Sequence, residues 1–158
     1  LLGLVGSEMC IRDRIISLII IFFLTPYLNS FQKINEENYA SNNWLDFNSK
    51  SIPEIIANNE IVFLDITADW CITCKFNKIN VLNSKTISEF FDSQEVTLIK
   101  ADWTQPNEEI NKFLKKYNKF GIPFNAFYSS KFPEGIVMNE ILTEKQIFET
   151  YNLSLIHI

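Results

Sequence analysis

The sequence predicts an α/β domain: a mixed β-sheet covered by helices. Two runs of strand length, "IVFLDI" at 61–66 and "VTLIKA" at 96–101, are rich in β-branched residues and too continuously apolar to face water on either side. Segments with helical spacing alternate with them. A last pair of strand-like runs, "PFNAFYS" and "GIVMNEI", is separated by a turn at Pro133-Glu134-Gly135.

Residues Trp44 to Phe47 lead into the domain. Ser51, with Pro53 and with Glu54 three positions on, fits a capping box that opens a short helix through "SIPEIIANN". After the first strand run, "CKFNKINVL" reads as a helix starting at or just after Cys71, and Ser84 restarts a second one through "TISEFFD". Beyond the second run, Pro106 with Glu108 and Glu109 opens a helix in which Ile110, Phe113, Leu114 and Tyr117 recur at helical spacing. Acids at its start and lysines near its end suit the helix dipole. Thr143 and Gln146 cap a final helix, "EKQIFETYN". The resulting order is helix, strand, helices, strand, helix, strand pair and helix.

Composition narrows the function classes. The chain has 158 residues, 47% of them hydrophobic, and 14 phenylalanines, enough for one core and inconsistent with disorder. Its net charge is −5, with no basic stripe, so nucleic acid is not an expected partner.

The termini read as foreign to the fold. Back-translated, "MCIRDR" at 9–14 and "LSLIHI" at 153–158 are inverted copies of one another, as the two ends of a sequencing-library tag would be. The expectation is that 1–14 and 153–158 are read-through, to be set aside in fold reasoning. An intact gene encoding these residues in place would overturn it. Setting them aside removes Cys10 and His157, the only histidine. The next segment, "IISLIIIFFL" at 15–24, is apolar but rises only about 15 Å as a helix, where a bilayer needs about twenty residues. Within 15–28 it is read as a truncated transmembrane helix, ahead of a signal segment or a buried helix, because a polar tether follows at 29–43.

In "TADWCITCKFN", 67–77, two cysteines stand three positions apart behind a strand and at the start of a helix. A zinc site needs four ligands, and neither a second cysteine pair nor a histidine remains. A structural disulfide here would close almost no loop and add little stability. Thiol–disulfide exchange fits better: unpaired N–H groups and the positive dipole end at a helix start favour thiolate, the nucleophile. In such motifs the thiol ionises at about 3.5 to 7, against about 8.5 for a free cysteine. Cys74, one turn behind Cys71, is placed to attack a mixed disulfide.

With "FLDITADWCITCK", then Lys100-Ala101-Asp102-Trp103-Thr104, Phe120-Gly121-Ile122-Pro123 and Leu142-Thr143, the stretch 44–152 resembles the thioredoxin superfamily. Within it, the similarity is to the C-terminal domain of DsbD-type transmembrane thiol:disulfide interchange proteins. The resemblance implies a thioredoxin-like fold, a central mixed sheet flanked by helices, preceded here by the truncated apolar segment. It implies protein-disulfide reductase activity with Cys71 attacking and Cys74 resolving. It matches Asp65 to the buried acid that assists proton transfer, and Pro123, after Ile122, to a cis-proline beside the cysteines. Without the resemblance, Asp65 reads as a strand-end carboxylate paired with Lys100. Trp70 is read either as a shield for the thiols or as a plain core aromatic.

Two departures stand out. Lys78 occupies a position where relatives often carry an acid, and a lysine there would favour thiolate. Ile72-Thr73 lacks the histidine found between the cysteines of oxidising relatives, so a reductant is expected. No cofactor beyond the redox-active cysteine pair and no metal is expected. The implied partners are a membrane-embedded redox domain of the same chain and periplasmic disulfide-containing proteins. The implied location is the bacterial inner membrane, with the domain in the periplasm. Two alternatives remain: a self-standing anchored or secreted thioredoxin-like reductase, for instance in cytochrome maturation, and a non-catalytic thioredoxin-like binding module.

Overall fold

Burial of continuous apolar runs requires cover on both sides, and the chain supplies it. The computed structural model describes residues 14–23, 25–26 and 43–155. The chain divides into two units, Leu1–Glu37 and Asn38–Ile158. In the first, residues 14–23 are helical with exposed side chains. Among the described residues no helix is long and apolar enough to cross a membrane. Of the segments read as tags, membrane helix and tether, residues 1–13, 24, 27–42 and 156–158 lie outside the described residues.

The second unit contains five strands, β1 (Leu45–Asp46), β2 (Val62–Thr67), β3 (Thr97–Asp102), β4 (Phe124–Tyr128) and β5 (Ile136–Val137). They form one sheet in the order β1-β3-β2-β4-β5. β1 and β2 run parallel to β3, and β4 runs antiparallel to β2 and β5. The sheet is mixed, as expected. Every residue of β2 is buried, which accounts for its unalternating sequence.

Helices cover both faces. On one side α1 (Ser51–Ala57) and α4 (Glu108–Lys116) press Ile52, Ile56, Ile110 and Leu114 onto Leu64, Ile66, Ile99 and Ala126. On the other, α2 (Ile72–Asn77) passes directly into a π-helical turn at Lys78–Leu82, followed by α3 (Lys85–Ser93) and, near the C-terminus, α5 (Glu144–Leu155). Val81, Leu82, Phe91 and Ile147 there meet Phe63, Leu98 and Phe127. The Phe63 ring lies 5.1 Å from that of Phe91 and 5.0 Å from that of Phe127.

Several local expectations change. The capping box at Ser51 does not form: Ser51 is already helical and its hydroxyl donates to the Asn48 carbonyl at 2.8 Å. Asn48 Oδ1 accepts the Lys50 amide at 2.9 Å, so an asparagine turn organises this helix start instead. Only Ile136–Val137 of "GIVMNEI" forms a strand, and the Met138 amide makes one more bond to β4, to the Asn125 carbonyl at 2.8 Å. β1, two exposed residues, carries no pattern from which a strand could be read. Ser84 and Thr143 cap their helices as expected, accepting the amides of Ile87 and Gln146. α5 runs past Asn152 to Leu155, and the Ser154 carbonyl accepts the Ser129 hydroxyl at 2.9 Å.

Candidate functional site

β2 delivers the chain to the carboxyl end of the parallel β2–β3 pair, the edge where open α/β sheets place their sites. Ala68 is buried there, and its carbonyl accepts the Cys71 amide at 3.1 Å, turning the chain into α2. Cys71 is the N-cap: its backbone is extended and its Sγ accepts the Cys74 amide at 3.1 Å. A sulfur thus sits where an oxygen cap usually does, facing amide dipoles that stabilise negative charge.

Cys71 and Cys74 form a disulfide, with Sγ atoms 2.01 Å apart and Cα atoms 5.3 Å apart. Cys71 is 6% exposed and Cys74 2% exposed, so both residues are buried, Cys71 the less completely. The pair clusters with Ala68, and Ile122 packs against it. The Ile122–Pro123 peptide bond is cis, and Pro123 is buried at the entry to β4.

Trp70 is 62% exposed, so the core-aromatic reading fails. Its indole N–H donates to the Thr104 carbonyl at 3.3 Å. Thr104 also accepts the Asp69 amide through Oγ1 at 3.0 Å, and its own amide donates to Asp102 Oδ1 at 2.9 Å. Hydrogen bonds from Thr104 hold the Asp102 carboxyl below the usual carboxylate range. One threonine therefore ties the loop before Cys71 to the end of β3. Ile72, between the two cysteines, and Phe120, two residues before Ile122, are both exposed.

Asp65 lies two residues beyond Phe63 on the same sheet face and is buried. The register sets it opposite Lys100 on β3 and Asn125 on β4. Asn125 Nδ2 donates to Asp65 Oδ1 at 2.9 Å. Lys78, which opens the π-helical turn, is half-buried. Burial pushes its ammonium below the ordinary lysine range and Lys100 acts the same way, while Asp65, Asp102 and Asp69 oppose the shift. Lys78 and the buried Asp65 therefore attract one another across this end of the sheet.

The structure therefore brings Cys71, Cys74 and Ile122 together, and sets Asp65 and Lys100 side by side. Three further residues carry the site without having been singled out in the sequence. Asn125 is a lone amide inside an apolar strand, which was a readable signal. Thr104 belongs to a recognised motif, but its bonds depend on loop geometry. Asn77, 2% exposed, donates to the Glu140 carbonyl at 2.8 Å and accepts the Leu142 amide at 3.0 Å, which no local pattern announces.

Known proteins with these features point the same way. The family model described as thioredoxin-like matches residues 44–130. The thiol:disulfide interchange protein DsbD of Campylobacter jejuni (strain RM1221) is 30% identical over 110 residues, covering 68% of this chain and 18% of that protein. DsbD of Yersinia pestis (strain Pestoides F) is 36% identical over 76 residues, 48% of this chain and 12% of that protein. The chain therefore spans less than a fifth of the length of these relatives. Among solved structures, the oxidised C-terminal domain of Neisseria meningitidis DsbD is similar with a TM-score of 0.55 and 23% identity, covering 66% of this chain and 90% of that one. Its reduced form gives 0.53 at 22% identity, covering 70% and 99%. The chain belongs to the thioredoxin-like family, and its folded unit is of the type found at the C-terminus of DsbD proteins.

Proposed function

We propose that this domain is a protein-disulfide reductase that passes two electrons by thiol–disulfide exchange. The observation that carries the reading is the Cys71–Cys74 pair at the start of α2, with the cap sulfur accepting a backbone amide. In the reduced state the Cys71 thiolate attacks a partner disulfide, forming a mixed disulfide and releasing one partner thiolate. Cys74 then loses its proton to the Asp65 carboxylate. Its thiolate attacks Cys71 Sγ, closing the Cys71–Cys74 bond and releasing the second partner sulfur. A thiolate and a thiol have become a disulfide, and the partner disulfide a thiol and a thiolate, the thiolate taking its proton from water.

The DsbD relatives support a setting in which a membrane-embedded domain of the same protein re-reduces the pair. Periplasmic disulfide-containing proteins or domains receive the electrons. An anchor in the inner membrane through the apolar residues 15–24 fits that setting. The test is turbidimetric insulin reduction by the dithiothreitol-reduced chain, with Cys71→Ser as control. Wild type is expected to reduce insulin far faster than the variant. Equal rates would exclude catalysis by the pair.

A further inference from the structure

Asn125 is the chemically odd member of β4. Its neighbours Phe124, Ala126, Phe127 and Tyr128 are apolar or aromatic, and the whole strand is buried. An amide in that run is unfavourable unless its polar atoms are met. Nδ2 is met by Asp65 Oδ1 at 2.9 Å. Oδ1 is buried and has no hydrogen-bond partner among the described residues. A packing role would be filled better by leucine, so the half-satisfied amide calls for a chemical explanation.

The explanation lies in the two ends of the amide. Asparagine carries a donor and an acceptor on one rotor. With NH2 toward Asp65 it suits a carboxylate, which only accepts. A half-turn about Cβ–Cγ presents Oδ1, which suits a protonated carboxyl that must donate. The unmet oxygen is then the half of the side chain held for the other protonation state.

We propose that Asn125 is a positioning residue for Asp65, donating Nδ2–H to the carboxylate and turning over to accept the O–H once Asp65 has taken a proton. This rests on the reductase reading. In that cycle the proton leaves Cys74 Sγ for Asp65, Cys74 closes the disulfide on Cys71, and the proton passes to the released partner thiolate. The carboxylate is restored and Asn125 turns back. Other charges bear on the same acid: Lys100 from β3 and Lys78 from the π-helical turn, the latter also facing Asp69 and Asp102. Both lysines favour the carboxylate, whereas Asn125 can serve either form.

The experiment measures insulin reduction by the full chain from pH 5 to 9 for wild type, Asn125→Leu, Asp65→Asn and the double variant. Asn125 bonds both forms, and a hydrogen bond to the charged form is about twice as strong as one to the neutral form, so the difference corresponds to a shift of about 0.5 to 1 pH unit. Asn125→Leu should move the acid limb of the rate profile upward by that amount, and the shift should vanish in the Asp65→Asn background. An unmoved limb in folded Asn125→Leu, or a shift that persists without Asp65, overturns the proposal. Wild-type chain provides the second measurement, which needs no variant. The side-chain amide resonances of Asn125 should titrate with the same midpoint as the Asp65 carboxyl carbon, and amide resonances that ignore that midpoint overturn it. If wild type and Cys71→Ser reduce insulin equally, the reductase reading falls, while the resonance titration still decides whether the amide follows the acid.

Discussion

Replacing Asn77 by alanine removes a clamp between the redox helix and the segment that leads into α5. The side chain spans the Glu140 carbonyl at 2.8 Å and the Leu142 amide at 3.0 Å. Leu142 is 2% exposed, so its abandoned N–H finds no water, at about 1–3 kcal/mol. Glu140 is exposed, and its carbonyl recovers a water partner, so that bond contributes about 1 kcal/mol. Alanine returns about 0.5 kcal/mol of helix propensity. The expected net loss is about 1.5–3.5 kcal/mol, and Tm should fall by about 6–14 °C for a domain of this size. Urea unfolding of the oxidised chain, followed by tryptophan fluorescence, measures it as a lower midpoint at unchanged slope. Asn80→Ala is the control: its Nδ2 donates to the Phe76 carbonyl at 2.8 Å, but the residue is exposed, and the change should stay within about 0.5 kcal/mol. If Asn77→Ala costs no more than Asn80→Ala, the clamp carries no load and the reasoning is wrong.

Gly135 has φ +76°, and a Cβ there would stand 2.5 Å from Tyr128 Cε1 on a ring that is buried and cannot yield. Gly135→Ala should therefore destabilise by about 2–4 kcal/mol in the same urea assay; a loss under about 1 kcal/mol would show that the turn relaxes. Burial, aided by its bond to the Tyr117 hydroxyl at 3.0 Å, raises the Tyr128 phenol far above the ordinary range. The folded state then keeps a proton that the unfolded chain releases above about pH 10, so stability falls as pH rises past that point, and Tyr128→Phe should flatten the fall. Tyrosinate absorbance checks it: while folded, wild type should ionise no more phenols than Tyr128→Phe. Thr104→Val should return the Asp102 carboxyl toward its usual range, read by NMR titration. Because a depressed carboxylate stabilises the fold at neutral pH and loses that contribution in acid, the variant should also show a shallower acid loss. An unchanged Asp102 titration would mean that the hydroxyl does not govern it.

The elements that could be read in the sequence are those whose burial is uniform or periodic. β2 and β3 differ from the expected runs by one residue at each end, because a strand enclosed on both faces has to be apolar throughout. α4 could be read from Ile110 and Leu114, although its cap is Asn107, whose Oδ1 accepts the amides of Glu109 and Ile110. The π-helical turn at Lys78–Leu82 could not be read: one extra residue per turn leaves the apolar pattern almost unaltered. At the site, Cys71 and Cys74 could be read because their spacing is itself the chemistry. Asn77, Thr104 and Asn125 act through partners 63, 35 and 60 positions away, separations that no local pattern encodes.

The distant partners explain why the acid can be there at all. The amide dipoles at the start of α2 cost nothing extra, since any helix has them, but a carboxyl inside an apolar sheet face does. Replacing such a group and its partners by hydrocarbon is often neutral or stabilising, so stability alone would not retain it. Asp65 is nonetheless held from both flanking strands, by Lys100 in one register and Asn125 in the other. Below it on the same face the Phe63, Phe91 and Phe127 rings close the core, and above it comes Thr67, whose hydroxyl is buried and also without a hydrogen-bond partner among the described residues. The row Lys100–Asp65–Asn125 therefore marks the level at which the sheet changes from packing to polar groups, on the side where the chain enters the cysteine helix. A polar level placed there, and kept at a cost to the core, is what the proposed proton transfer at the thiols requires, and a hydrocarbon row could not serve it.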